Sequence, residues 1–184
     1  FSKKIVFKPI YSRFAAHTVM WSLDDPTPDT HPTETDPWVA QEYIDGKEIC
    51  TYGLAKDGQL LAHATYWPQQ RWGLGASTVF EYIDHPIALE WVQKFVHELR
   101  FTGQIAFDFI ERSGQLYPIE CNPRGTSGIH LFRNTPEFIA QFKTPSKRLV
   151  IPCDQNIYAM KFPLFLRLFI SQTTPERMET LRIL

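Results

Sequence analysis

Between Phe107 and Gly125 the chain reads FDFIERSGQLYPIECNPRG. Asp108, Glu120, Asn122 and Arg124 stand there among Phe107, Phe109, Ile110, Leu116, Tyr117 and Ile119, and Ser113-Gly114 marks a turn between two strands. Side chains alternate faces along a strand, so Glu120 and Asn122 share one face. The face taken by Asp108 depends on the turn. A two-residue loop sets Asp108 opposite Ile119 and puts the acids on opposite faces. A three-residue loop, Arg112-Ser113-Gly114 with Gly114 left-handed, sets Asp108 opposite Pro118 and on the Glu120 face. Glycine in the third loop position favours the longer loop. Under it Asp108, Glu120 and Asn122 converge, and the phenylalanines point into the core behind them.

Two carboxylates and an amide oxygen on one rigid face make a hard-oxygen site. Magnesium suits such a site, because it takes one or two carboxylates and fills its octahedron with water and phosphate oxygens. Arg124 follows a proline just past the strand end, where a guanidinium can steady a carboxylate or a developing oxyanion. The alternative is a surface hairpin whose acids form an Asp–Arg or Glu–Arg pair. A domain that binds no nucleotide would then have Asp108 and Glu120 on opposite faces.

The elements around this hairpin are legible from pattern. Ile5–Ile10 reads as a strand that Pro9 confines to an edge or an end. Residues 22–38, SLDDPTPDTHPTETDPW, are rich in Pro, Asp and Thr and read as a mobile connecting loop. Val39–Ile44 (VAQEYI) is a strand, followed by an Asp45-Gly46 turn. Glu48–Lys56 and Gln59–Tyr66 form a hairpin about Asp57-Gly58. The stretch QQRWGLGAS is a loose loop, in which Arg71 reads as a surface arginine and Gly73-Leu74-Gly75 is too short for a dinucleotide fingerprint. His85-Pro86 opens a helix with Ala88, Trp91, Val92, Phe95, Val96 and Leu99 at spacings of three and four. Short helices follow Thr135-Pro136-Glu137 and Thr174-Pro175-Glu176. The fold class is α+β, mainly antiparallel, with one long helix packed on a sheet.

Composition bounds the rest. The 184 residues are 43% hydrophobic with a net charge of -1, the profile of a globular protein without an electrostatic footprint for nucleic acid or an anionic membrane. No apolar window approaches the length of a membrane span. The most apolar run, Ile157–Ile170, is interrupted by Lys161, Pro163 and Arg167 and reads as a core segment. Cys50, Cys121 and Cys153 are an odd, widely spaced set that fits a reducing cytoplasm rather than a disulfide framework. The chain opens FSKKIVFKPI without an initiator Met, as a piece of a longer polypeptide would.

Asp108 followed by Glu120-x-Asn122-x-Arg124 resembles the magnesium- and carboxylate-binding motif of the ATP-grasp superfamily, in the form found in the carbamoyl-phosphate synthase and biotin carboxylase branch. QEYIDGKE, Gln41 to Glu48, is similar to the interlobe segment that holds adenine and ribose. Lys8 in IVFKPI is similar to the small-lobe lysine that reaches ATP phosphates. The matches come in the family's order and cover roughly residues 4 to 130. The glycine-rich phosphate loop departs from the pattern: here it is PIYSRFAAHT, with Ser12 and Arg13 as its polar groups. The family's usual N-terminal domain and second ATP-contacting lysine have no counterpart in this sequence.

The resemblance implies a C-terminal portion of an ATP-grasp fold: residues 1–40 from the small lobe, 41–145 the C-terminal lobe, and 146–184 an unassigned extension. It implies ATP and Mg2+ as cofactors, with Asp108, Glu120 and Asn122 as metal ligands and Lys8 on the phosphates. Gln41, Glu42, Tyr43, Ile44 and Glu48 would hold the nucleoside. Arg124 would be catalytic, on the acceptor carboxylate or the tetrahedral intermediate. The implied activity is ATP-dependent ligation of a small-molecule carboxylate to an amine through an acyl phosphate, with the isolated piece inactive. The alternatives are a module that binds ATP and ligates nothing, and a kinase on the same fold.

Overall fold

A computed structural model describes residues 4–11, 17–71, 77–154 and 157–159. The expected helix at Thr174, most of the apolar run beyond Ala159, and Ser12 and Arg13 lie outside the described residues.

Two antiparallel sheets account for all the described strands. The first has three, in the order β2-β1-β3, from β1 (Lys4–Pro9), β2 (Val19–Ser22) and β3 (Trp38–Glu42). The second has six, in the order β8-β7-β4-β5-β6-β9. They are β4 (Lys47–Lys56), β5 (Gln59–Arg71), β6 (Ser77–Ile83), β7 (Gly103–Arg112), β8 (Gln115–Asn122) and β9 (Ile157–Ala159). The long helix, α1 (Pro86–Glu98), joins β6 to β7, and a 3-10 turn (Ser127–Phe132) and α2 (Pro136–Lys143) follow β8. The α+β, mainly antiparallel expectation holds. Among the described residues no helix is long and apolar enough to cross a membrane.

Local chemistry explains the elements. Asp57-Gly58 turns β4 into β5 with both residues at positive φ, 49° and 82°, the mirror-image turn whose twist matches paired strands. His85 caps α1, its Nδ1 accepting the Ala88 N–H at 3.1 Å, and Pro86 starts the helix where a missing N–H costs nothing. Ala88, Val92 and Val96 are buried, and Trp91 and Phe95 pack beside them. Leu99, expected on the same apolar face, caps the helix and is 62% exposed, because the chain leaves helical geometry at Arg100 (φ 48°).

Two differences concern the sheets. Ser77–Ile83 is a strand that the pattern did not single out, and Arg71 sits at the end of β5 opposite Ser77 rather than in a loop. Gln41 and Glu42 pair with β1, so the change of sheet falls within residues 43–46. Part of the region beyond residue 145 also belongs to the second sheet: His63 and Leu61 exchange backbone hydrogen bonds with Val150, and β9 pairs with β6.

The second sheet is covered on both faces. Under α1 lie Ile49, Leu60, Ile105, Phe107 and Phe109, with Trp91 edge-on to both phenylalanines at 5.0 Å. On the other face Tyr52, Ala62, Ala64, Tyr66 and Phe80 pack against Leu131, Phe132 and Phe138. Phe107 and Phe109 thus anchor β7 from behind, as expected, and Asp108 between them turns to the opposite face.

His63, 4% exposed on the α1 face, has its Nε2 2.9 Å from Thr65 Oγ1 while its Nδ1 has no hydrogen-bond partner. Burial, with the nearby His85 charge adding, pushes its pKa down to about 3. The unfolded chain takes up that proton near pH 6.5 and the fold does not, so this contribution to stability is full above that pH. It is lost as pH falls toward about 3, at up to ~1.4 kcal/mol per unit. His63→Gln should therefore flatten the loss of thermal stability between pH 6.5 and 5 by about 2 kcal/mol. Unfolding midpoints of both proteins across that window check this, and parallel curves would refute it.

Candidate functional site

The hairpin of β7 and β8 uses a two-residue turn. Ser113 and Gly114 both take positive φ, 52° and 76°, and pairing runs Arg112 with Gln115, Glu111 with Leu116, Ile110 with Tyr117 and Phe109 with Pro118. The three-residue loop is thereby corrected, since Ser113 accepts the left-handed conformation ahead of Gly114. Continued regularly, this register would part the acids. It breaks instead between Asp108 and Phe109, and Asp108 pairs with Glu120, leaving Ile119 as the extra residue of a β-bulge. Asp108 and Glu120 therefore share a face, with Asn122 two residues on, opposite Ala106. Acids on opposite faces, as a nucleotide-free binding domain would require, are not what the hairpin has. Pro118 is the sequence signal for the bulge, because a residue without an N–H is tolerated where the ladder is interrupted.

β4 adds to this face. Cys50 pairs with Asp108 and Glu48 with Ile110, so Glu48 and Cys50 point the same way as Asp108. The Cys50 thiol donates to Glu48 Oε1 at 3.8 Å. Tyr66, opposite Cys50 on β5, has its hydroxyl pKa raised well above normal by burial, with Cys50 and Asp108 adding to it. Across the strand, the Cys121 thiol is pushed up by burial and by the Glu120 charge.

Among the described residues Arg124 pairs with no acid. It donates from Nη2 to Asn122 Oδ1 at 2.9 Å and from Nη1 to the Gly125 carbonyl at 3.3 Å. Its segment is seated on β4 and β7. The Tyr52 hydroxyl donates to Gln104 Oε1 at 2.7 Å, and a Cβ on Gly125 would come within 3.0 Å of that same oxygen. A Cβ on Gly128 would stand 2.5 Å from Tyr52 Cβ and 2.8 Å from Tyr66 Cε1. Tyr52, Gln104 and Gly128 escaped the sequence reading because their role is contact between segments far apart in the chain.

The first sheet reaches the same hairpin through Lys8, whose Nζ donates to the carbonyl of the bulged Ile119 at 2.9 Å. Lys8 pairs with Val39 and Val6 with Gln41, so Lys8 and Gln41 lie on one face of that sheet. The Tyr43 N–H bonds the Lys4 carbonyl at 3.0 Å. By alternation, the backbone groups of Glu42 and Ile44 turn toward the edge away from β1. The Tyr43 ring meets Lys4 Nζ at 5.7 Å. Where the chain crosses to the second sheet, Gly46 lies so close to β7 that a Cβ would be 2.4 Å from the Glu111 carbonyl oxygen. Lys8, Asp108, Glu120, Asn122 and Arg124 are thus brought to one strand end, Glu48 to the neighbouring strand, and Gln41–Ile44 to the connection between the sheets.

Among the described residues no group of three or more His, Cys, Asp and Glu side chains could hold a metal ion. What the hairpin offers is two carboxylates, Asp108 and Glu120, and the Asn122 amide oxygen. That donor set fits magnesium, which leaves its remaining positions to water and phosphate, and fits no thiolate- or imidazole-bound metal.

A family model of the ATP-grasp domain matches residues 1–128, and the chain belongs to that family. The L-amino acid ligase from Bacillus licheniformis is 18% identical over 72% of this chain and 34% of its own, with a TM-score of 0.46. The D-alanine–D-alanine ligase from Bacillus anthracis complexed with ATP is 20% identical over 65% of this chain and 41% of its own, at 0.41. The N5-carboxyaminoimidazole synthetase from Staphylococcus aureus complexed with ADP is 22% identical over 54% of this chain and 28% of its own, at 0.41. The chain spans well under half the length of each. No curated protein matches the sequence.

Gly128→Ala should unseat the segment that carries Arg124. Forcing a methyl against Tyr52 and Tyr66 costs about 1–3 kcal/mol, a fall of roughly 2–12 °C in the unfolding midpoint for a domain of this size. An unchanged midpoint would show that the segment moves aside freely.

Proposed function

We propose that this chain is the nucleotide-binding part of an ATP- and Mg-dependent ligase that joins a small-molecule carboxylate to an amine. The observation that carries the reading is the pairing of Asp108 with Glu120 across the bulge, with Lys8 docked on the same strand. Membership of the ATP-grasp family supports it.

In this reading Glu42 and Ile44 present backbone groups to the adenine edge, and Glu48 accepts hydrogen bonds from the ribose hydroxyls. Lys8, a compact cation on a flexible stem, offsets phosphate charge. Asp108, Glu120 and Asn122 are the oxygens that would hold magnesium, whose chemistry when bound is to neutralise the β- and γ-phosphate oxygens. A carboxylate oxygen of the acceptor attacks the γ-phosphorus, the bond to ADP breaks, and an acyl phosphate forms. The amine then attacks the acyl carbon, phosphate leaves, and the amine's proton passes to solvent or to the departing phosphate. Arg124 holds the acceptor carboxylate and stabilises the oxyanion of that second step. No protein nucleophile is required, because positioning and electrostatics carry such transfers.

Thermal unfolding with and without MgATP tests the nucleotide site. Ligand at 100 times its dissociation constant adds about 2.7 kcal/mol, which for this domain is a rise of roughly 5–10 °C. The rise should require magnesium and vanish in Asp108→Asn. A chain that shows no rise at saturating MgATP would sink the assignment of this site. In the full-length ligase, with a carboxylate and amine pair found by screening for ADP release, Arg124→Ala should lower turnover ~10²–10³-fold, the scale of losing one oxyanion donor. An unchanged rate would remove Arg124 from the chemistry.

A further inference from the structure

Asn122 Oδ1 is claimed twice. It is the third hard oxygen on the face of Asp108 and Glu120, and it is also the acceptor of the Arg124 Nη2 hydrogen bond at 2.9 Å. A divalent cation on that oxygen would stand about 4 Å from the guanidinium, and like charges at that distance repel even in bulk water. The oxygen has two lone pairs, but the repulsion between the guanidinium and the cation sets the two uses against each other. Arg124 is also exposed, and its two acceptors, the Asn122 amide and the Gly125 carbonyl, are both neutral. Among the described residues no carboxylate pairs with it. A guanidinium in that condition exchanges neutral acceptors for an anion readily, because charge-assisted and bidentate pairs are the stronger ones.

We propose that Arg124 and a divalent cation compete for Asn122 Oδ1, so that a carboxylate drawing Arg124 away completes the metal site. The site then holds metal by Asp108 and Glu120 alone until an anionic acceptor arrives. Binding of the acceptor carboxylate and full coordination of the metal become linked events, each raising the affinity for the other by the same factor. This rests on the metal-binding reading of the hairpin, and the two can fail separately.

The test is a titration with Mn2+ alone, which takes the same oxygen ligands as Mg2+ and is counted free in solution by its paramagnetic resonance. Arg124→Ala should tighten Mn2+ binding about tenfold, because Asn122 Oδ1 can then ligate the metal without a guanidinium held on the same oxygen. Asn122→Ala combined with Arg124→Ala should abolish most of that gain, whereas simple removal of positive charge from the neighbourhood would leave it in place. Formate, the smallest carboxylate, added at constant ionic strength should move the wild-type affinity toward that of Arg124→Ala and leave the variant where it is. Competition is overturned if Arg124→Ala leaves Mn2+ affinity unchanged while Asp108→Asn weakens it, and the anion's part is overturned if formate does nothing to the wild type. Mn2+ binding that neither Asp108→Asn nor Arg124→Ala alters would remove the metal site itself, and the proposal with it.

Discussion

The bulge at Ile119 is the constraint on which the rest of this site depends. A tight turn at Ser113-Gly114 and a regular ladder would send Asp108 and Glu120 to opposite faces, one into the apolar layer beneath α1. One extra residue on β8 returns Glu120 to the Asp108 side. It also presents the Ile119 carbonyl to Lys8, so a single irregularity sets the acid pair and ties the first sheet to it. Bulges bend and twist a strand locally, which re-aims the side chains that follow. Asn122 and Arg124 are those side chains.

The site is held by packing on both faces of the second sheet. Behind Asp108, the stack of Trp91, Phe95, Phe107 and Phe109, with ring centroids 4.8 to 5.0 Å apart for the closest pairs, fixes β7 against α1. In front, Tyr52 serves as the seat of the returning segment: its hydroxyl holds Gln104 beside Gly125, its Cβ receives Gly128, and its ring packs on Phe132 and Phe138. Arg124 is exposed, yet the backbone from which it projects is fixed on both sides of it. A side chain on a surface loop gains its precision from such buried neighbours rather than from its own contacts.

The connection between the sheets is similarly confined. Tyr43 is bonded to β1, Gly46 is pressed on β7, and only a few residues lie between. A glycine is needed at residue 46 for close approach, since any side chain there would collide with the Glu111 carbonyl. The first sheet therefore has limited freedom over the second, and Lys8 contacts the hairpin from across that short connection.

Much of this was legible in the chain itself. The two hairpins, the helix after His85-Pro86 and the alternation that buries Phe107 and Phe109 follow from local rules: turn residues, capping and period. So does the chemistry on offer, because Asp108, Glu120, Asn122 and Arg124 are close in sequence and two residues apart where they lie on one strand. What sequence could not decide was the register, for a one-residue slip is a choice between ladders that differ only in long-range packing. The Lys8–Ile119 bond and the seating of the Arg124 segment on Tyr52 and Gln104 were hidden for the same reason, whereas the strand at Ser77–Ile83 carries a local signal in its β-branched and aromatic residues that the reading passed over. These contacts join residues far apart in the chain, and no local pattern encodes them. Residue types and spacing determined which groups could act, and tertiary structure decided which of them meet.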